Sequence, residues 1–256
     1  MTASQRSPYS LVIIARDAVL MLPDCIASAP GADEVLVMDS GSRDNTVALA
    51  SRLGARVIHQ DWLGYGPQKR FAALQAKHDW ILSLDADERL TPELRAHIEK
   101  VLVAPKAVAY LLPRRNRFMG RWLRHGEGYP DWCARLFDRR HANWSADVVH
   151  EKLETDGPMA RLSGDLLHES EQGLSDYLAK QHHYTDLQAR LMFQAGKRFS
   201  AQKMLTSPLF RFIKFYFLRR GFLDGLPGLI HIAIGCWNSF IKYAKLRELQ
   251  WKKEKP

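Results

Sequence analysis

The stretch Trp80-Ile-Leu-Ser-Leu-Asp-Ala-Asp-Glu88 places Asp85, Asp87 and Glu88 at the end of an apolar run. Carboxylates this close raise one another's protonation energy unless a cation or hydrogen-bond donors relieve them. Side chains two apart on an extended chain point the same way, so Asp85 and Asp87 are expected to converge just past the strand. Paired carboxylates are hard oxygen ligands for Mg²⁺ or Mn²⁺, with water and substrate phosphates filling the other positions. A metal held there neutralises charge on a departing diphosphate. The plainer alternative is an aspartate that only caps a turn or the helix that follows. A second acid closes another apolar run, in Val35-Leu-Val-Met-Asp-Ser-Gly-Ser-Arg-Asp-Asn-Thr46. Asp39 at such a strand end can accept from an imide N–H or a ribose hydroxyl, while N–H groups at the next helix start suit phosphate oxygens. Alone, either motif also fits a simple helix cap. Together on successive strands, 46 positions apart, they are far more specific.

The elements that must position these acids are legible in the first hundred residues. Leu11–Ile14, Val35–Met38, Arg56–Ile58 and Trp80–Leu84 are short apolar runs, the pattern of strands buried in a parallel sheet. Helical spacing fills Asp44–Leu53, Gln68–Ala76 and Pro92–Val103, and Thr91-Pro92 supplies a capping hydroxyl followed by proline at the first helical position. This βαβαβ succession predicts a doubly wound α/β sheet whose ligands bind at the carboxyl ends of its strands. Residues 108–168 read as irregular strands, and Leu174–Arg198 as a helix. In the tail, Leu226, Leu229, Ile230, Ala233, Ile234, Trp237, Phe240, Ile241 and Ala244 fall on one helical face, opposite Gly228, His231, Gly235, Asn238, Lys242 and Lys245.

The totals are those of a globular protein: 256 residues, 46% hydrophobic and 25% charged. Cys25, Cys133 and Cys236 lie far apart with no CxxC pair, which argues against a disulfide framework or zinc site and suits a reducing compartment. Leu11–Ile14 is too short for the apolar core of a signal peptide, so a cytoplasmic location is expected. The net charge of +9 is concentrated in two patches. Lys106–Arg124 has six basic residues and no acid, and Ser207–Pro256 has ten Lys/Arg against three Asp/Glu. Such patches suggest a polyanionic partner. Leu209–Leu218 interleaves aromatics with cations, but Phe222–Ile241 is interrupted by Asp224, Pro227, His231 and Asn238. A membrane span of ~20 apolar residues is therefore not expected. A helix lying in the membrane interface, facing anionic lipid, fits better.

With VMDSGSRDNT, GYGPQKRFA and LSLDADER in place, the chain resembles the family 2 glycosyltransferases, whose pattern is VVDxGSxDxT, a helix bearing Arg/Lys-Asn, and LDADE at a strand end. The resemblance implies the GT-A fold, a Rossmann-like doubly wound sheet, here with a C-terminal amphipathic helical extension. It implies that Asp39 holds the nucleotide base, Asp85 the ribose and metal, and Asp87 the metal bridging the diphosphate. Ser42, Lys69 and Arg70 complete the nucleotide-sugar set. Arg70 stands where many members have Asn, and so does Asp17 after the first strand. The segments DWLGYGPQKRFA, RLFDRR…VVHEKL and GFLDGLPGL…KYAKL are similar to lipopolysaccharide core β-glucosyltransferases of Gram-negative bacteria. That likeness implies transfer of glucose from UDP-glucose to an inner-core heptose, with Mn²⁺ or Mg²⁺ as cofactor. It further implies a lipid-anchored acceptor at the cytoplasmic leaflet of the inner membrane, peripheral attachment there, and no nucleic-acid partner. The expected domains are a GT-A domain over 1–170, with a nucleotide-sugar half over 8–105 and an acceptor half over 106–170, and a helical membrane-interface region over 171–256.

Inverting transfer needs a base for the acceptor hydroxyl. Glu151 in VVHEKL is the first candidate and Asp131 in YPDWCARLF the second, with His150 a possible metal or diphosphate ligand or a structural histidine. Two other functions share these features. A nucleotidyltransferase would use the same acids but needs a Gly-rich triphosphate loop, and Ala15-Arg16-Asp17 contains no glycine. A non-catalytic membrane or polyanion adaptor on a transferase fold would be indifferent to loss of Asp85 or Asp87.

Overall fold

The computed structural model describes residues 6–147, 151–169 and 173–254. Among the described residues twelve strands are formed: β1 Tyr9–Ala15, β2 Glu34–Asp39, β3 Arg56–His59, β4 Trp80–Asp85, β5 Glu88–Leu90, β6 Ala109–Phe118, β7 Arg121–Trp122, β8 Asp131–Asp138, β9 Ala142–Trp144, β10 Leu153–Thr155, β11 Met159–Arg161 and β12 Leu166–His168. Seven α-helices accompany them: α1 Leu22–Ala27, α2 Thr46–Arg52, α3 Tyr65–Gln75, α4 Pro92–Val103, α5 Leu174–Gln194, α6 Ala201–Phe212 and α7 Gly225–Glu254. Two compact units result, one from Met1–Arg114 with Trp132–Glu169, the other from Arg115–Asp131 with Ser170–Pro256.

In the first unit β3, β2, β1 and β4 lie side by side and parallel. Parallel strands are covered on both faces, and the side chains of β1 show it. Leu11 and Ile13 pack with Val37, Leu82, Leu94 and Ile98 on one face. Val12 packs with Leu36, Ala72, Ala73, Ile81 and Phe137 on the other. Past β4 the sheet turns mixed, as β8 runs antiparallel to β4 and β6, β12 and β5 follow in that order. The predicted start of α4 is realised: Thr91 Oγ1 accepts from the Leu94 N–H at 3.4 Å with Pro92 at the first helical position. All three cysteines are free thiols.

The second unit is mostly helical. A π-helical turn, Ile213–Leu218, and a 3₁₀ turn, Gly221–Asp224, join α6 to α7. The face that α7 buries is not the apolar one of the sequence pattern. Gly228, Ile232, Gly235 and Ser239 are buried at spacings of four, three and four, and Leu246 seven positions further on, whereas Leu226 and Trp237 are exposed. Polar contacts explain the inversion. Asn238 donates to Gln181 Oε1 at 2.7 Å, Lys245 meets Asp186 at 2.8 Å and Thr185 Oγ1 at 2.7 Å, and Arg211 donates to Ser239 Oγ at 3.2 Å. Small and hydrogen-bonding residues, with Ile232 and Leu246, hold the helices together, which leaves Leu226 and Trp237 outside and Leu229, Ile230, Ile234, Phe240 and Ile241 half-buried.

Candidate active site

The register of β1 sets the two acidic motifs side by side. Ala15 lies opposite Asp39 of β2, and Ile14 opposite Asp85 of β4, at the carboxyl ends of three neighbouring strands. Asp39 is buried and folds back on its own turn, accepting from the N–H groups of Gly41 (3.0 Å) and Ser42 (3.1 Å) and from the Ser42 hydroxyl. Gly41 has φ +86°, a conformation glycine adopts without strain. The preceding loop interlocks with this turn: the Asp17 N–H donates to Ser42 Oγ at 2.9 Å, and Asp17 Oδ1 accepts from the Arg43 N–H at 2.7 Å. Asp17 has φ +51°, a region in which Asp and Asn are enriched, so either residue serves there. Gln68 on α3 reaches the same turn, donating to Ser40 Oγ at 3.0 Å from a fully buried position.

The DxD stretch is a strand, a two-residue turn at Ala86-Asp87, and then β5. The uniform alternation assumed from the sequence is therefore broken, and the three acids take different partners. Glu88 is fully buried and caps the strand end, accepting the Asp85 N–H at 3.1 Å and Arg135 at 2.7 Å. Asp85 is paired with Arg135 Nη2 at 2.6 Å and with Lys69 Nζ at 3.1 Å. Burial would raise the Asp85 carboxyl, but Arg135 and then Lys69 outweigh it and hold its pKa well below the usual carboxylate range. Arg135 is desolvated in turn, yet Asp85 and Glu88 keep it firmly protonated. Asp87 meets His168 Nε2 at 3.2 Å. β12 pairs antiparallel with β5, His168 opposite Glu88, and this places the imidazole there.

Lys69 joins the cluster to the candidate base. Its ammonium, on a side chain only 2% exposed, lies 3.0 Å from Glu151 Oε1 as well as against Asp85. Trp144 forms a wall beneath the cations, with Lys69 Nζ 5.0 Å and the Arg135 guanidinium 6.0 Å from its ring centroid. α3 is held close to this wall at Gly66, where a Cβ would run into the carbonyls of Ser145 and Asp147. The structure thus brings together Lys69, Asp85 and Glu151, and separately Asp87 with His168. Asp39 and Ser42 form their own turn at the same sheet edge. Arg70, on the exposed side of α3, donates to the Trp144 carbonyl at 3.3 Å. Asp131 opens β8 and belongs to the second unit. His150 lies outside the described residues. Arg135, Trp144 and His168 were not singled out from sequence, and Glu88 was seen there only as a third acid of the cluster. Arg135 sits in the RLFDRR segment that carries part of the family likeness, but a lone histidine 81 positions after Asp87 gives no signal without the β5–β12 register.

The family model "Glycosyl transferase family 2" matches residues 10–153, which carry every one of these groups except His168. The chain belongs to glycosyl transferase family 2. It is 30% identical to the lipopolysaccharide core biosynthesis glycosyltransferase LpsC of Rhizobium meliloti, over 97% of this chain and 95% of that one. It is 32% identical to an uncharacterized glycosyltransferase of Rickettsia typhi, over 86% and 80%. Among solved structures, mannosyl-3-phosphoglycerate synthase from Rubrobacter xylanophilus superposes with a TM-score of 0.51 at 17% identity, covering 76% of this chain and 77% of that one, a likeness of fold. As a family 2 glycosyltransferase with a GT-A-type sheet, the chain is an enzyme, and the nucleotidyltransferase and adaptor readings fall away.

A divalent cation is compatible with the donor set. Asp87 and His168 offer a carboxylate oxygen and an imidazole nitrogen, both ordinary Mn²⁺ ligands, and Asp85, two positions before Asp87, is partly exposed. Among the described residues no three His, Cys, Asp or Glu side chains form a metal cage. A cation there would need oxygens from a bound diphosphate or water, the usual habit of Mg²⁺ at phosphate sites.

Proposed function

We propose that this family 2 glycosyltransferase moves a hexose, glucose from UDP-glucose as first choice, onto an inner-core heptose of lipopolysaccharide with inversion at the anomeric carbon. The observation that carries the reading is the buried Lys69, which links the strand-end acid Asp85 to the candidate base Glu151. The acceptor class is supported by full-length similarity to LpsC, itself named for lipopolysaccharide core biosynthesis. In this reading Asp39 and Ser42 receive the nucleotide, and Lys69 faces the diphosphate. Arg70 lies on the outer side of the same helix. Glu151 takes the proton from the acceptor hydroxyl as its oxygen bonds to the anomeric carbon. The bond from that carbon to the diphosphate breaks, and its electron pair leaves with UDP. Lys69, shared between two carboxylates before the reaction, is placed to offset charge on the departing diphosphate. Mn²⁺ or Mg²⁺, with Asp85 and Asp87 as its protein ligands, would supply further charge neutralisation. Asp131 is the reserve candidate for the base, and His150 for a diphosphate contact.

No helix among the described residues is long and apolar enough to cross a membrane. The second unit nevertheless exposes Leu205, Leu209, Phe210, Phe217, Leu218 and Phe222 along α6 and the turns after it, with exposed Lys203, Lys214 and Arg220 among them. This combination suits peripheral binding to an anionic bilayer such as the cytoplasmic leaflet of the inner membrane.

UDP release from a panel of UDP-sugars, with purified truncated lipopolysaccharide and with or without Mn²⁺ or Mg²⁺, tests the reaction. One sugar is expected to support metal-dependent turnover, and Asp87→Ala and Glu151→Gln are each expected to lose about 10²-fold or more in kcat. Full activity in Glu151→Gln beside a dead Asp87→Ala moves the base to Asp131. Turnover indifferent to metal and to Asp87→Ala removes the cation from the mechanism.

A further inference from the structure

Within the second unit, α5, α6, α7 and the segment at Glu127 line a polar, partly open cavity of about 100 Å³. Its lining contains no aliphatic side chain. A water needs only ~10–15 Å³ of such space, so the cavity has room for a tetrahedral oxyanion. Its charges do not balance. Arg211 and Lys242 contribute two positive charges, and Glu127 the one negative charge in the lining. Glu127 is committed to Arg211, whose Nε donates to Oε2 at 2.9 Å. Gly235 completes that wall because a Cβ there would collide with Glu127 and Arg211. Next door, Lys245 is compensated by Asp186 at 2.8 Å. Lys242 has no acidic partner among the described residues and lies over the Tyr243 ring, 5.5 Å from its centroid. Burial pushes the pKa of its ammonium down, and Arg211 and Lys197 push the same way. His231 also lines the space, and its buried Nδ1 has no hydrogen-bond partner among the described residues. A half-buried cation without a counter-charge and an unsatisfied buried ring nitrogen both gain from a ligand that completes them.

We propose that this cavity is a binding site for a phosphate group, held by Lys242 and Arg211 and formed from residues of the second unit alone. The chemistry fits a phosphate ester on a sugar, a phospholipid headgroup or the free ion. Neither sugar transfer nor membrane attachment is needed for the site to exist.

Calorimetric titration of the full chain with inorganic phosphate, at constant ionic strength and against a chloride control, tests this. The wild type is expected to bind one equivalent. Lys242→Gln should weaken binding about tenfold or more, the size expected for loss of a charge-assisted hydrogen bond. Asn238→Asp, which puts a carboxylate into the wall, should abolish it. Thermal unfolding without phosphate shows whether each variant folds, and if Lys242→Gln does not, Asn238→Asp carries the test. Glucose 6-phosphate and phosphatidylglycerol vesicles are then set to compete with phosphate for the wild type. Competition by the first assigns the site to a sugar phosphate, by the second to a lipid headgroup, and by neither to the free ion. A wild type that takes up no phosphate, or folded variants that bind it as tightly as the wild type, overturns the proposal.

Discussion

Lys69 is the side chain on which the carboxylate cluster turns. A buried ammonium shared by Asp85 and Glu151 is stable only while at least one of them stays ionised, and each acid depends on it in turn. Lys69→Met is therefore expected to lower stability by roughly 3–5 kcal/mol, the usual cost of breaking a buried pair from one side. Combined with Glu151→Gln in a double-mutant cycle, it should show a coupling of about 1 kcal/mol or more in urea unfolding. Additive losses would mean that the 3.0 Å contact contributes nothing to stability. The sequence announces half of this pair. The helix motif marks Lys69 and the strand-end motif marks Asp85, since both sit in short segments with local signatures. Glu151 is 82 positions from Lys69, and only the folded chain shows that they touch. Glu88 carries the opposite lesson. It looks like a third member of an acidic cluster, but complete burial and bonds to Arg135 and the Asp85 N–H make it the cap of the strand.

At the scale of elements, the four parallel strands and α4 were legible because each is a local run with its own start and stop. β5 and β12 were not, since three-residue strands take their identity from pairing with distant partners. α7 was legible as a helix but not in its orientation. Periodicity reports which residues share a face. Whether that face turns inward depends on the polar partners that α5 and α6 supply. One consequence can be titrated. His231 on α7 lies between Phe118 and Tyr177, ring centroids 5.2 Å and 6.0 Å away. Burial, and then Arg211, lower its pKa to about 4. The unfolded chain, with an ordinary histidine near ~6.5, binds more protons than the fold between that value and 4. Stability therefore rises with pH across this window and is lost as pH falls through it, with a slope of at most ~1.4 kcal/mol per pH unit. His231→Phe should flatten the curve between pH ~6.5 and ~4.5, seen as a smaller shift of the urea midpoint than in the wild type. Parallel curves would mean that the imidazole protonates freely inside the fold.

At the scale of the whole molecule, the net charge of +9 and the exposed aromatics of the second unit point to one experiment. Co-sedimentation with phosphatidylglycerol vesicles should exceed that with phosphatidylcholine and weaken as salt rises. The double change Phe210→Ser/Phe217→Ser, at two exposed positions, should cut binding about tenfold or more while leaving the melting temperature nearly unchanged. Equal binding to both lipids, or an unaffected double variant, would rule out this surface as the point of attachment. Composition foresaw the basic tail, but only the fold shows which of its large apolar side chains, Leu209, Phe210, Phe217 and Leu218 among them, are left outside. The path of the chain has a consequence for how the molecule is made. Residues 115–131 emerge from synthesis well before their partners: the Arg124 and His125 N–H groups wait for the Asp224 carboxylate, and Glu127 for Arg211. Until about a hundred further residues have been added, that hairpin has nothing to close on, so the second unit can form only late, and a cut near residue 170 would strand the loop instead of releasing a finished piece.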